Sequence, residues 1–290
     1  MTVPREFVIA RHAQSERNAI ENFDRGDGVA ENTLHQSARL RPDWQHRLSC
    51  HGEEQARQSR QVIEAKLGGV ASFHGLYVSP YVRAFETAAH MGGEHVSDWE
   101  AEENISERNW GHLNYITELE RQLKFPETHT ARFNNAWYQS PEGGESLMDA
   151  RIRFERFWNR ISRQHADQKV FAVAHHDTIY AAHRVIENML PEEWDEIYHG
   201  KEVFIGNCMM IDWTSVNPND PSDQRDTMQW KRYINPFNEA EAPYAGQWVE
   251  LKKRRRFFGG ELLKRVNQFG RLLDQPQPIE PPPTPTEPKL

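Results

Sequence analysis

The chain of 290 residues is long enough for one large α/β domain or two small ones, with a substantial buried core. Charged residues make up 27% of it and hydrophobic ones 37%, a polar balance that still holds enough Trp, Phe and Ile to exclude a chain disordered throughout. The formal net charge of −8 excludes a general attraction to nucleic acid or anionic membranes, so an anionic ligand needs a local positive pocket.

In chain order, the apolar residues Phe7 to Ala10 predict a short strand that ends at Arg11 and His12. Residues 19–47 combine weak periodicity with many polar side chains, which predicts a long loop or short-helix excursion over the sheet edge, the kind of segment that shapes a pocket. A helical pattern then runs from Gly52 to about Leu67. A second strand, Gly75 to Val78, leads through Ser79-Pro80 into a helix from about Tyr81 to Met91. The pattern from Glu145 to about Arg163 carries Leu147, Phe154, Phe157, Trp158 and Ile161 at helical spacing, a stripe read as core. A third strand, Lys169 to Ala174, delivers His175 and a helix from Asp177 to about Met189. Three strands thus each present a polar residue at their carboxyl end. In open α/β sheets ligands bind at that edge, and helix N-termini hold anions there. Phe204 to Trp213 and Gln229 to Ile234 predict two further strands around the turn-rich residues 216–226.

The end of the chain changes character. Lys252 to Arg256 are five consecutive basic residues, a helical pattern follows through Leu273, and seven prolines fall between Asp274 and Leu290, which predicts an extended, mobile tail. The two cysteines, Cys50 and Cys208, offer neither a disulfide framework nor a CxxC metal signature. No segment approaches the ~20 apolar residues that cross a bilayer, and a soluble cytoplasmic protein without membrane insertion is the expectation.

Phosphoryl transfer through a covalent intermediate needs a nucleophile, cationic donors for the phosphate oxygens and an acid for the leaving oxygen. Arg11-His12-Ala13-Gln14-Ser15-Glu16-Arg17-Asn18 sets a guanidinium and an imidazole side by side at a strand end. Five companions follow: Leu48-Ser49-Cys50-His51-Gly52-Glu53-Glu54-Gln55-Ala56, Ser79-Pro80-Tyr81-Val82-Arg83-Ala84-Phe85-Glu86-Thr87-Ala88, Ser106-Glu107-Arg108-Asn109-Trp110-Gly111, Gly143-Gly144-Glu145-Ser146 and Val173-Ala174-His175. Together they resemble the signatures of the histidine phosphatase, or phosphoglycerate mutase-like, superfamily over about Phe7 to Asp212. Two positions depart from its pattern: Ala13 stands where the family has Gly, and His176 replaces the Gly that usually follows the second histidine.

The resemblance implies a three-layer α/β/α sandwich with a mostly parallel central sheet. With the change of character near the end, the expected division is a histidine phosphatase domain over residues 1–250 that includes the 19–47 excursion, a basic helical extension over 251–273 and a disordered Pro-rich tail over 274–290. The resemblance also implies a phosphomonoester hydrolase in which His12 carries the phosphoryl group and Glu107 is the general acid and base. Arg11 and Arg83 offer planar forks to the phosphate oxygens, with His175 as a further donor and Asn18 as a neutral one. Register with the strand favours His175 over His176. Asn207 corresponds to a late asparagine of the family, and Arg17 either joins the site or faces solvent. Ser79, Thr87 and Ser146 read as capping or structural. Arginines and histidines stand in for a metal, so no cofactor and no metal ligand is expected.

Three competing readings stay open. A phosphoglycerate mutase shares the fold, but such mutases have a short tryptophan-containing loop where this chain has the long excursion. A metal-dependent hydrolase of the all-helical HD class is suggested only by His176-Asp177, which follows a β-run instead. A non-catalytic binding protein on the same fold would use Lys252 to Arg256, a run that is either a solvated helix start or a weak contact for an anionic partner. The expected ligand is a small phosphorylated molecule. Residues 115–139, like the excursion, have no pattern that names it, and oligomeric state is not encoded in any motif.

Overall fold

Continuous apolar runs, whose successive side chains point to opposite faces, let the central strands bury both sides. The strands are β1 (Glu6–Arg11), β2 (Gly75–Val78), β3 (Trp99–Ala101), β4 (Lys169–Ala174), β5 (Met210–Thr214), β6 (Val216–Asn217), β7 (Asp220–Gln224), β8 (Trp230–Ile234) and β9 (Val249–Glu250). The helices are α1 (Glu16–Asp27), α2 (Cys50–Leu67), α3 (Val82–Gly92), α4 (Glu118–Lys124), α5 (Pro126–Asn134), α6 (Leu147–Gln164), α7 (His176–Ile186), α8 (Pro191–His199) and α9 (Gly259–Val266). The structure, a computed structural model, describes residues 3–27, 38, 40–93, 98–116, 118–134, 137–199, 203–252 and 256–271. The chain divides into a unit over Met1–Lys252 and a second over Lys253–Leu290.

The first unit is built on a seven-stranded sheet of order β3-β2-β4-β1-β5-β8-β9. β3, β2, β4 and β1 run parallel, and β5, β8 and β9 extend the sheet in antiparallel pairing. Val8, Ala10, Phe171 and Val173 point to one face, where Ala56, Ile63 and Leu67 of α2 and Ala84, Ala88 and Met91 of α3 cover them. Phe7, Ile9, Val170 and Ala172 point to the other, against Leu147, Phe154, Phe157 and Ile161 of α6 and Ile179 of α7. The result is the three-layer α/β/α sandwich. Each large apolar side chain of the α6 stripe buried this way contributes about 1.5–3 kcal/mol relative to exposure.

Two of the covering helices, α2 and α6, begin at side-chain caps. Ser49 Oγ accepts from Gly52 N at 3.0 Å at the start of α2. Ser146 Oγ accepts from Asp149 N at 3.1 Å while Asp149 accepts from Ser146 N at 2.8 Å, closing a reciprocal box at the start of α6.

Three expectations shift. The excursion begins as a full helix, α1, and returns through a 3-10 turn at Asp43–Gln45. The strand predicted from Phe204 begins only at Met210. Before it, backbone groups are met by side chains: Tyr180 Oη donates to Val203 O at 2.7 Å and Arg11 Nη1 to Ile205 O at 2.7 Å. The turn-rich residues 216–226 contain the β6–β7 ladder.

In the second unit Glu261 accepts from Phe258 N at 2.9 Å at the start of α9. Residues 253–255 of the basic run and the whole 274–290 tail lie outside the described residues. Among the described residues, no helix is long and apolar enough to cross a membrane.

Candidate active site

Register brings the first polar residues together. Arg11 pairs with Ala174, and Val78 with Val173, so the chain steps off the sheet at His12, His175 and Ser79 on three adjacent strands. His12 N still donates to Ala174 O at 2.9 Å and Ser79 N to Val173 O at 3.0 Å. The two imidazoles meet edge to face with centroids 5.0 Å apart. His175 Nε2 lies 2.7 Å from Ser79 Oγ, so the part Ser79 plays, read as capping or structural, is to orient that ring.

The turn that carries His12 is tied down on every side. Ala13 N donates to Thr87 Oγ1 at 3.0 Å, and Gln14 N to Gln55 Oε1 at 3.0 Å. A Cβ on Gly52 would stand 2.0 Å from Gln14 O, so the glycine of the Leu48–Ala56 motif is what lets α2 approach this close. The methyl of Ala13 is buried in the core layer under α2 and α3 and does not line the cavity. It therefore does not crowd the pocket.

His12 Nδ1 donates to Ala13 O at 2.7 Å, which leaves Nε2 as the lone-pair nitrogen, 3.3 Å from Arg83 Nε. Burial first, then the charges of Arg83 and Arg11, push the His12 pKa well below its ordinary value. The ring is a neutral base at physiological pH.

His12 opens on a cavity of about 370 Å³ whose wall includes Arg11, Asn18, Arg83, Glu107 and His176. Of the six residues predicted for the site, five line it. His175 is fully buried, packs against the His12 ring and is not on the cavity wall. Among the described residues, its Nδ1 and the Nε of Arg11 have no hydrogen-bond partner. Buried donors are rarely left so, and the two belong to residues flanking His12. His176 is on the wall, with Nδ1 3.1 Å from Asp177 Oδ1.

Opposite charge arrives from the 102–111 segment. Glu107 Oε1 accepts from Arg108 N at 2.9 Å. Burial, then the neighbouring Asp177 carboxylate, raise the Glu107 pKa from 4.5 to about 7. Asp177 stays low despite its own burial, because His176 hydrogen-bonds it and Arg108 lies 3.8 Å away. Asn18 Oδ1 accepts from Ser15 N and from Asn207 Nδ2, each at 3.3 Å, and Asn207 Nδ2 also donates to His12 O at 3.0 Å. Asn207 thus braces the turn.

Arg17 turns inward to Asp43. Asp43, Glu21, Trp110, Arg121 and Phe204 also line the cavity. Of these only Trp110 stood inside a quoted motif. The others come from segments without a local signature. An arrangement of a neutral imidazole, two guanidinium groups and a carboxyl that titrates near neutrality can accept a phosphoryl group and shuttle one proton.

A family model described as the histidine phosphatase superfamily (branch 1) matches residues 7–208. A 2,3-bisphosphoglycerate-dependent phosphoglycerate mutase of Brucella melitensis is 24% identical over 200 residues, 65% of this chain and 84% of that protein. A second such mutase, from Gloeobacter violaceus, is 26% identical over 95 residues, 32% of this chain, and the match spans 43% of its length. Among solved structures, a mycobacterial glucosyl-3-phosphoglycerate phosphatase superposes with a TM-score of 0.58 at 19% identity, covering 79% of this chain and 96% of its own. The α-ribazole phosphatase of Shigella flexneri gives 0.56 at 18% identity, covering 74% and 92%. At these identities the structural likeness establishes the fold.

Proposed function

The chain belongs to the histidine phosphatase superfamily, and on that premise we propose that it is a metal-independent phosphomonoester hydrolase working through a phosphohistidine on His12. The observation that carries the reading is the set of buried donors on the residues next to His12: Arg83 Nε 3.3 Å from its Nε2, with the Nε of the preceding Arg11 and the Nδ1 of His175, whose ring packs on His12, lacking any partner among the described residues. Such a set is complete when phosphate oxygens accept from it.

In the first step the Nε2 lone pair forms the P–N bond as the P–O bond to the alcohol breaks, and Glu107 delivers its proton to the leaving oxygen. Arg11, Arg83 and His175 hold the three equatorial oxygens. Ser79 Oγ–H donating to His175 Nε2 puts that ring's own proton on Nδ1, where it serves as the donor. In the second step Glu107 takes a proton from water, the water oxygen bonds to phosphorus, and the P–N bond breaks to restore His12. A carboxyl titrating at about 7 suits both steps.

The test is a panel of phosphomonoesters in chelated buffer, wild type beside His12→Ala. Hydrolysis by the wild type, a loss of at least about a thousandfold in the variant, and acid-trapped label on His12 alone are the expected results. Chelation that abolishes turnover, or a His12→Ala chain that stays active, removes the reading. The mutase relatives keep one alternative in view. Transfer of trapped label to 3-phosphoglycerate faster than to water would favour it.

A further inference from the structure

The excursion after α1 returns to the cavity at Asp43, in the 3-10 turn Asp43–Gln45. This carboxylate spans two guanidinium groups. Oδ1 accepts from Arg17 Nη1 at 2.7 Å, Oδ2 lies 3.2 Å from Arg83 Nη2, and the Asp43 carbonyl accepts from Arg83 Nη1 at 2.8 Å. Both terminal nitrogens of Arg83 are turned to Asp43, while Nε faces His12. Arg17 is held in addition by Glu21 at 3.0 Å. Burial opposes the charge on Asp43, but Arg83 and then Arg17 hold its carboxyl down at about 2. It is an anion at any working pH.

The consequence is a cavity whose charge is nearly balanced before a ligand enters. Four guanidinium groups and four carboxyl groups line it, and Glu107 carries a proton about half the time near pH 7. A phosphomonoester dianion takes up the positive charge offered by Arg11 and Arg83. A second acid group on the same ligand then meets Asp43 and Glu21 with no surplus of positive charge, and like charges facing each other away from bulk water repel strongly.

Resting on the phosphatase reading above, we propose that Asp43 determines specificity at this site: by pairing with Arg17 and Arg83 it admits phosphomonoesters whose alcohol portion is neutral or cationic and turns away those with a second acid group. The residue acts by negative selection, since it adds no contact that a neutral alcohol requires.

Glycerol 3-phosphate and 3-phosphoglycerate differ at one carbon, a hydroxymethyl group in the first and a carboxylate in the second. The wild type is expected to show at least a tenfold higher kcat/KM for glycerol 3-phosphate. Asp43→Asn keeps the shape and removes the charge, and should narrow that ratio about tenfold, chiefly through a lower KM for 3-phosphoglycerate; Asp43→Glu should keep most of it. Calorimetric binding of both esters to His12→Ala separates this claim from the catalytic one. Tighter binding of glycerol 3-phosphate there supports the role of Asp43 even in a protein that hydrolyses nothing, an outcome that would sink only the phosphatase reading. Equal affinity for the two esters, binding of neither, or an Asp43→Asn chain that weakens both by the same factor overturns the proposal. The wild-type comparison decides the matter even when Asp43→Asn does not fold.

Discussion

Replacing Glu107 by Gln should make the protein more stable and less active, and the two effects should have different pH profiles. The Glu107 carboxyl titrates at about 7 in the fold against 4.5 ordinarily, so the folded chain binds its proton about 3 kcal/mol more tightly than the unfolded one. For a raised pKa that contribution is fully present below about pH 4.5 and is lost as pH rises through about 7, where the fold must hold an unwanted charge. Glutamine is neutral at every pH. The variant should therefore match the wild type at pH 4 and gain up to about 3 kcal/mol by pH 8, equivalent to about 6 °C in Tm for a domain of this size. Thermal melts across that range read the difference. Activity should move the other way, with kcat falling about 10²–10⁴-fold on alkyl phosphates and much less on activated aryl phosphates, whose leaving groups need no proton. Equal melting gains at pH 4 and pH 8, or equal losses on both ester types, would refute the reasoning.

Two further outcomes follow from packing. Gly52→Ala drives a Cβ to 2.0 Å from Gln14 O, an overlap that should cost about 1–3 kcal/mol or more and lower activity by displacing the turn that carries His12; unchanged melting and turnover would contradict the close approach. Lys231→Met leaves the buried Glu187 carboxylate without Nζ contacts at 2.7 and 2.9 Å, a loss of roughly 3–5 kcal/mol at pH 7. Burial works against that carboxyl, but Lys231 and then His183 hold it at about 2, so the stability it lends is present above about pH 4.5 and fades as pH falls towards 2. The Lys231→Met deficit should shrink over the same interval, and a pH-independent deficit in chemical denaturation would point to lost packing alone.

The sequence exposed what is local. β1, β2 and β4 were visible as apolar runs ending in Arg11-His12, Ser79 and His175, because a strand and the residue after it are contiguous in the chain. Parallel pairing of these strands, seen only in the fold, then brings the three carboxyl ends to one edge. Asp43 was invisible because its role exists only after the excursion folds back onto Arg83, 40 residues away. The Phe204 to Met209 stretch misled because its composition is that of a strand, while the Ile205 carbonyl is claimed by the Arg11 side chain and the preceding Val203 carbonyl by Tyr180. Which structural part Ser79 plays was not legible in the sequence for the same reason: its partner, His175, lies 96 positions on.

The turn holding His12 is fastened to Ala174 of the sheet, to Thr87, Gln55 and Ser49 of the covering helices and the cap of one of them, and to Asn207 beyond Phe204, whereas much of the cavity's side wall comes from the excursion and the segments around Trp110 and Phe204. The molecule thus has a fixed hearth and interchangeable walls. Insertions, deletions or replacements in those side segments that spare Glu107 and Asn207 would reshape what the cavity receives without shifting the nitrogen of His12. A lineage built this way can trade one cargo for another in few steps, and grafting the sides of one such protein onto the hearth of its cousin is the engineering counterpart.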